Sequence, residues 1–141
     1  MVLKAVQSLC QIYCDILPDY RIRTHDTAEE PANVKLSKDV VKMRTHEQTL
    51  LETYKDYLTI LETFTNFKTA KLTKDPKAVS NYDRLKVASI TSFCLLLERH
   101  PHFNYRVNIL QTIISKLSSQ HDQMRRICST TVKGLLRKDD N

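Results

Sequence analysis

Gly134 is the only glycine in the chain. Backbones that need positive φ at fixed places are therefore excluded: phosphate-cradling glycine loops, dinucleotide-binding turns and most tight β-hairpins. The four prolines, Pro18, Pro31, Pro76 and Pro101, fall between stretches of helical periodicity. Hydrophobic residues make up 41% of 141 positions, enough for one packed domain. These features together predict an all-α chain.

The longest uninterrupted stretch runs from Ser37 to about Lys71, without Pro or Gly. Val40, Met43, Leu50, Tyr54, Tyr57, Leu61 and Phe64 recur at three- and four-residue steps, with Glu47 breaking the seam. Ser37 suits an N-cap, and Asp39 suits the positive end of a helix. At ~1.5 Å per residue such a rod is roughly 50 Å long. It is expected to be the spine on which other helices pack, or a surface for a partner.

Four further helices are expected. Val2–Leu17 places Val2, Val6, Leu9, Tyr13 and Ile16 on one face, with Leu3, Cys10 and Leu17 beside it. Its apolar start lacks a cap, a charged leader and a cleavage site, as in a section cut from something longer. Val79–Arg99 is apolar nearly all round in its second half and is expected to be buried. Asn104–Ser118 places Val107, Leu110, Ile114 and Leu117 inward with Ile113 beside them, and Asp122–Arg137 closes the chain. The last three helices, joined by short links, predict helical hairpins stacked in a HEAT- or armadillo-like arrangement with one long helix. Residues 1–36 form an N-terminal helix with an extended Tyr-Arg-Ile-Arg loop, and residues 37–141 a solenoid-like segment. Within the long connection, Tyr20–Arg23 is expected to be docked and His25–Asn33 mobile.

Catalytic and metal chemistry find little support. Cys10, Cys14, Cys94 and Cys128 lie inside apolar helical patterns and read as reduced core thiols of an intracellular protein. Cys10 and Cys14, four residues apart, lack the second pair that a zinc site needs. Cys94 with His100 or His102 is a conceivable dyad, but an apolar setting makes a thiol inert. Both histidines are expected to face solvent on the Pro101 turn. No enzyme, no metal, no cofactor and no small-molecule substrate is expected. No apolar run reaches the ~18–20 residues of a membrane span.

The net charge of +6 is uneven. Residues 1–75 carry eleven basic and eleven acidic side chains, and residues 76–141 eleven basic and five acidic. A basic half suits RNA, DNA or an acidic partner. Tyr20, Arg21 and Arg23 form one candidate contact group, able to stack on a base and hold phosphates. The alternative is that Tyr20 and Ile22 pin the loop while the arginines pair locally. Arg106, Arg125 and Arg126 form a second group, with solvated helical surface as its alternative.

Three segments, taken in order, carry a likeness to a known family. They are Leu17-Pro-Asp-Tyr-Arg-Ile-Arg23; Ser37-Lys-Asp-Val40 running into Glu47-Gln-Thr-Leu-Leu51 and Tyr54-Lys-Asp-Tyr57; and Pro101-His-Phe-Asn-Tyr-Arg106. From about residue 9 to 137 the chain resembles the nucleolar complex protein 3 family, in an N-terminal-to-middle section of much longer members. The resemblance implies a nucleolar and nuclear factor in assembly of the large ribosomal subunit. It implies a nucleolar complex protein 2-like partner, the pre-60S particle and ribosomal RNA, and no catalytic residues to carry over. Two other readings are a chromatin-associated replication initiation factor and a generic helical protein-interaction module.

Overall fold

The computed structural model describes residues 1–23 and 37–139. It is helical, with no strand among the described residues. Six helices follow in order: α1 Val2–Ile16, α2 Lys38–Thr65, α3 Thr69–Leu72, α4 Pro76–Arg99, α5 Arg106–Ser115 and α6 Asp122–Asp139, with a 3-10 turn over Lys116–Ser118 after α5. The expected mobility of His25–Asn33 lies outside the described residues.

The hub is α4, not the long helix. All the other helices pack on α4: α1 and α2 most extensively, then α6, α5 and the short α3. Its sequence explains why. Ala88, Ser89, Ile90, Ser92, Phe93, Cys94, Leu96 and Leu97 are all buried, so several faces of one helix are covered at once. The small residues let neighbours approach closely. Their hydroxyls cost little, because Ser89 Oγ donates to the Leu85 carbonyl and Ser92 Oγ to that of Ala88, each at 2.8 Å. The Cys10 thiol of α1 sits over this patch, with its Sγ 3.8 Å from the Ser92 carbonyl oxygen. Helix α4 also begins earlier than the expected Val79. Asp75 caps it by accepting from the Lys77 N–H, and Pro76 occupies the first turn, where its missing N–H costs nothing.

Helix α2 ends at Thr65, not near Lys71, with Asn66 as its C-cap. Lys116 reaches across to the Asn66 side-chain oxygen at 2.8 Å and ties that end to the 3-10 turn. Ser37 caps the other end as expected, accepting from the Val40 N–H. The buried residues of α2 begin only at Leu51, so its first three turns extend beyond the packed core.

Aromatic rings fill the space between α1, α2 and the start of α5. Tyr13 lies 5.2 Å from Tyr54 and 5.1 Å from Tyr57, and Tyr54 meets Phe103 edge-on at 5.3 Å. Such pairs add ~0.5–1.5 kcal/mol each beyond the area they bury. The Tyr57 hydroxyl donates to the Val6 carbonyl at 2.8 Å.

Two expected faces are rotated. Helix α1 buries Val6, Cys10, Tyr13 and Leu17, while Val2, Leu9, Ile12 and Ile16 are exposed. Helix α5 buries Ile109 and Ile113, leaving Val107 and Ile114 outside. In both, the apolar arc is wider than the contact, and the contact takes the side that the neighbouring small residues or rings can reach.

His100 is buried rather than solvent-facing; His102 is exposed. The cause lies in α1. The Cys14 carbonyl would accept from the backbone N–H of residue 18, but Pro18 has none. His100 Nε2, 2.7 Å away, supplies the missing donor. A carbonyl only accepts, so Nε2 carries the hydrogen and Nδ1 faces the Asp19 carboxylate at 3.6 Å.

Candidate RNA and partner interface

After Leu17 the chain bends at Asp19 and Tyr20 and then passes Asn104, just before the start of α5. Ile22 is buried, and Arg21 and Arg23 on either side are exposed. This alternation is what an extended backbone imposes, and it puts both guanidinium groups on one side, about 7 Å apart along the chain. The strand-like position is held by Asn104. Its side-chain oxygen accepts from the Ile22 N–H at 2.8 Å, and its amide nitrogen donates to the Ile22 carbonyl at 2.9 Å. Asn104 lies immediately before Tyr105, which takes the left-handed conformation at φ 69°.

Tyr20 is fixed by its tip. Its hydroxyl donates to Glu47 Oε1 at 2.9 Å, while the side chain stays 55% exposed. That bond accounts for the polar break in the α2 seam: Glu47 is there to accept. It also raises the Tyr20 phenol above its ordinary value. Among the described residues neither Arg21 nor Arg23 has a hydrogen-bond or ion-pair partner. The anchoring expected of Tyr20 and Ile22 is present; pairing of the arginines with the acidic side chains of the same connection lies outside the described residues.

Two clefts flank this arm. One of about 600 Å³ is lined by Tyr20, Arg21, Ile22, Arg23 and Asn104. The other, about 350 Å³, lies against α2 between Arg23, Arg44, Gln48 and Thr49. Arg23 borders both. Arg106 is exposed two residues beyond Asn104, on the same turn that grips the arm. The Asn104 clasp and the Glu47 acceptor were not singled out in the sequence. The only signals were a polar residue inside an apolar seam and an Asn flanked by aromatics.

Arg125 and Arg126 stand apart from this group, on α6. Arg125 is occupied locally, donating to the Ser119 carbonyl at 3.0 Å and pairing with Asp122. Arg126 borders a cleft of about 310 Å³ with Cys94, Leu95 and Glu98.

The thiols are free, and Cys10, Cys94 and Cys128 are buried. A hydrogen bond with Cys128, followed by burial, pushes the Cys94 thiol well up. Burial, then Cys10, raises Cys14 to about 11. Among the described residues no three His, Cys, Asp or Glu side chains are grouped to hold a metal, and no helix is long and apolar enough to cross a membrane.

This arrangement is that of an all-α section with an arginine-bearing arm. A family model described as "NOC3p: Nucleolar complex-associated protein" matches residues 3–57. Nucleolar complex-associated protein 3 of Arabidopsis thaliana is 37% identical over 131 residues, covering 93% of this chain and 14% of the relative. Nucleolar complex protein 3 homologs of Danio rerio and Homo sapiens are 34% and 32% identical, covering 94% and 95% of this chain and 16% and 17% of theirs. The chain thus spans about a sixth of the length of these curated relatives. It belongs to the nucleolar complex protein 3 family, as the counterpart of one section of its members. The relatives' names agree with the nucleolar and nuclear address expected from the sequence.

Proposed function

We propose that this chain is a section of a non-catalytic assembly factor for the large ribosomal subunit. It acts as a helical scaffold between a nucleolar complex protein 2-like partner and the pre-60S particle. The observation that carries the reading is the clasped arm. Asn104 and Glu47 hold Tyr20–Arg23 in place, so the exposed Arg21 and Arg23, without a partner among the described residues, are presented on backbone that is already ordered. Ribosomal RNA phosphates are the ligand such a pair fits. The protruding first three turns of α2, with Val41 and Met43 exposed, offer the partner protein its surface. Helices α4, α5 and α6, each packed on the others, are read as part of a HEAT- or armadillo-like array. The non-catalytic reading is supported by Cys94, whose raised, buried thiol is a poor nucleophile.

The test uses the tagged full-length protein with Arg21→Ala and Arg23→Ala. Recovery of large-subunit precursor RNA should fall while the melting temperature of the chain stays at the parental value. Parental recovery of precursor RNA would sink the reading, and a collapsed melting temperature would show that the arginines serve the fold.

A further inference from the structure

Helix α1 carries a second apolar stripe that its own domain does not use. Val2, Ala5, Leu9, Ile12 and Ile16 follow one another at steps of three, four, three and four residues, and all five are exposed. That is the spacing of a heptad seam, which only another helix matches along its length. The stripe lies beside the buried set Val6, Cys10, Tyr13 and Leu17, so it is an addition to the core face.

The pattern is self-complementary. With Leu9 facing Leu9 across a two-fold axis, antiparallel helices bring Val2 level with Ile16 and the small Ala5 level with Ile12. The charges on the open flank agree: Lys4 and Asp15, both exposed, lie toward opposite ends of the stripe on the same side. Antiparallel pairing brings each beside the other's opposite charge. Parallel pairing would put this flank of the two helices on opposite sides of the seam, where Lys4 and Asp15 do not meet. We propose that α1 is an isologous contact surface that pairs antiparallel with α1 of a second copy of this chain. The inference is independent of the RNA reading. The stripe exposes on the order of 400 Å² of apolar surface, about half of a standard interface side, so the pairing is weak and concentration-dependent.

Sedimentation equilibrium from ~10 µM to ~1 mM should show a reversible monomer–dimer equilibrium. Ile12→Asp should weaken it at least about tenfold with the melting temperature unchanged, because the residue is outside the core. Lys4→Asp and Asp15→Lys should each weaken it, and the double exchange should restore it. Leu9→Cys should give a disulfide-linked dimer under mild oxidation where the parent gives none. A chain that stays monomeric throughout would leave the stripe to a helix of another protein and overturn the proposal. A dimer indifferent to Ile12→Asp, or not restored by the charge exchange, would overturn it as well.

Discussion

Asn104 holds Ile22 by both of its backbone groups, with 2.8 Å to the N–H and 2.9 Å to the carbonyl, across 82 positions of sequence. One side chain thus does for the arm what a neighbouring strand would do. Asn104→Ala should leave both partly buried groups unpaired and cost about 1–3 kcal/mol. Denaturant unfolding measures the loss. Limited proteolysis should also show faster cleavage near Arg21 and Arg23.

His100 and Pro18 should be energetically coupled. His100→Ala removes the donor that the Cys14 carbonyl takes in place of a backbone N–H, at about 1–3 kcal/mol. In a Pro18→Ala background the chain regains an N–H at that position, so His100→Ala should cost less there. A double-mutant cycle reads the difference. Strict additivity would show that the two residues do not share this carbonyl.

Leu96 and Leu95 are neighbours in sequence with opposite environments, 1% and 41% exposed. Leu96→Ala should cost about 2–5 kcal/mol as a core truncation. Leu95→Ala should stay within about 0.5 kcal/mol of the parent. Equal effects would contradict the packing of α4.

Alkaline pH should destabilise the chain through Tyr54 and Tyr57. Burial is the largest cause that lifts both phenols above the ordinary value of 10.0. The folded state then holds protons that the unfolded state releases, so stability is full below about pH 10 and falls as pH rises toward the folded values. Denaturation midpoints followed across that range should decline, and more shallowly with Tyr54→Phe and Tyr57→Phe together. Tyrosinate absorbance should rise with unfolding rather than before it.

RNA binding should depend on salt through the arm. Replacing Arg21 and Arg23 by Ala should reduce the slope of log affinity against log salt by about 1.5–2, one phosphate each. An unchanged slope would place the phosphate contacts elsewhere.

Much of this fold is legible in the letters, and the misses share a cause. Ser37 as a cap, Pro18 and Pro101 as boundaries, and Leu96 in the core follow from local chemistry. What periodicity does not fix is which half of a wide apolar arc meets the core. Cys10 wins over Leu9 because α4 offers small side chains at that point. The hub is hidden in the sequence for a related reason. Helix α2 is longer, but α4 has small and large apolar residues on several faces, which length does not reveal. At the site, Arg21 and Arg23 are visible from composition. Asn104 is not, since a bond spanning most of the chain leaves no mark near either end.

The seat of α1 on α4 has a consequence for how the chain is made. A ribosome extrudes α1 some sixty residues before the helix it rests on. Until then its apolar side has only α2's tyrosines to meet, and Ile22 waits longer still for Asn104. Such distant closures are slow and leave sticky surface uncovered. Newly made chains should therefore be most prone to capture by chaperones between the emergence of α1 and that of α4.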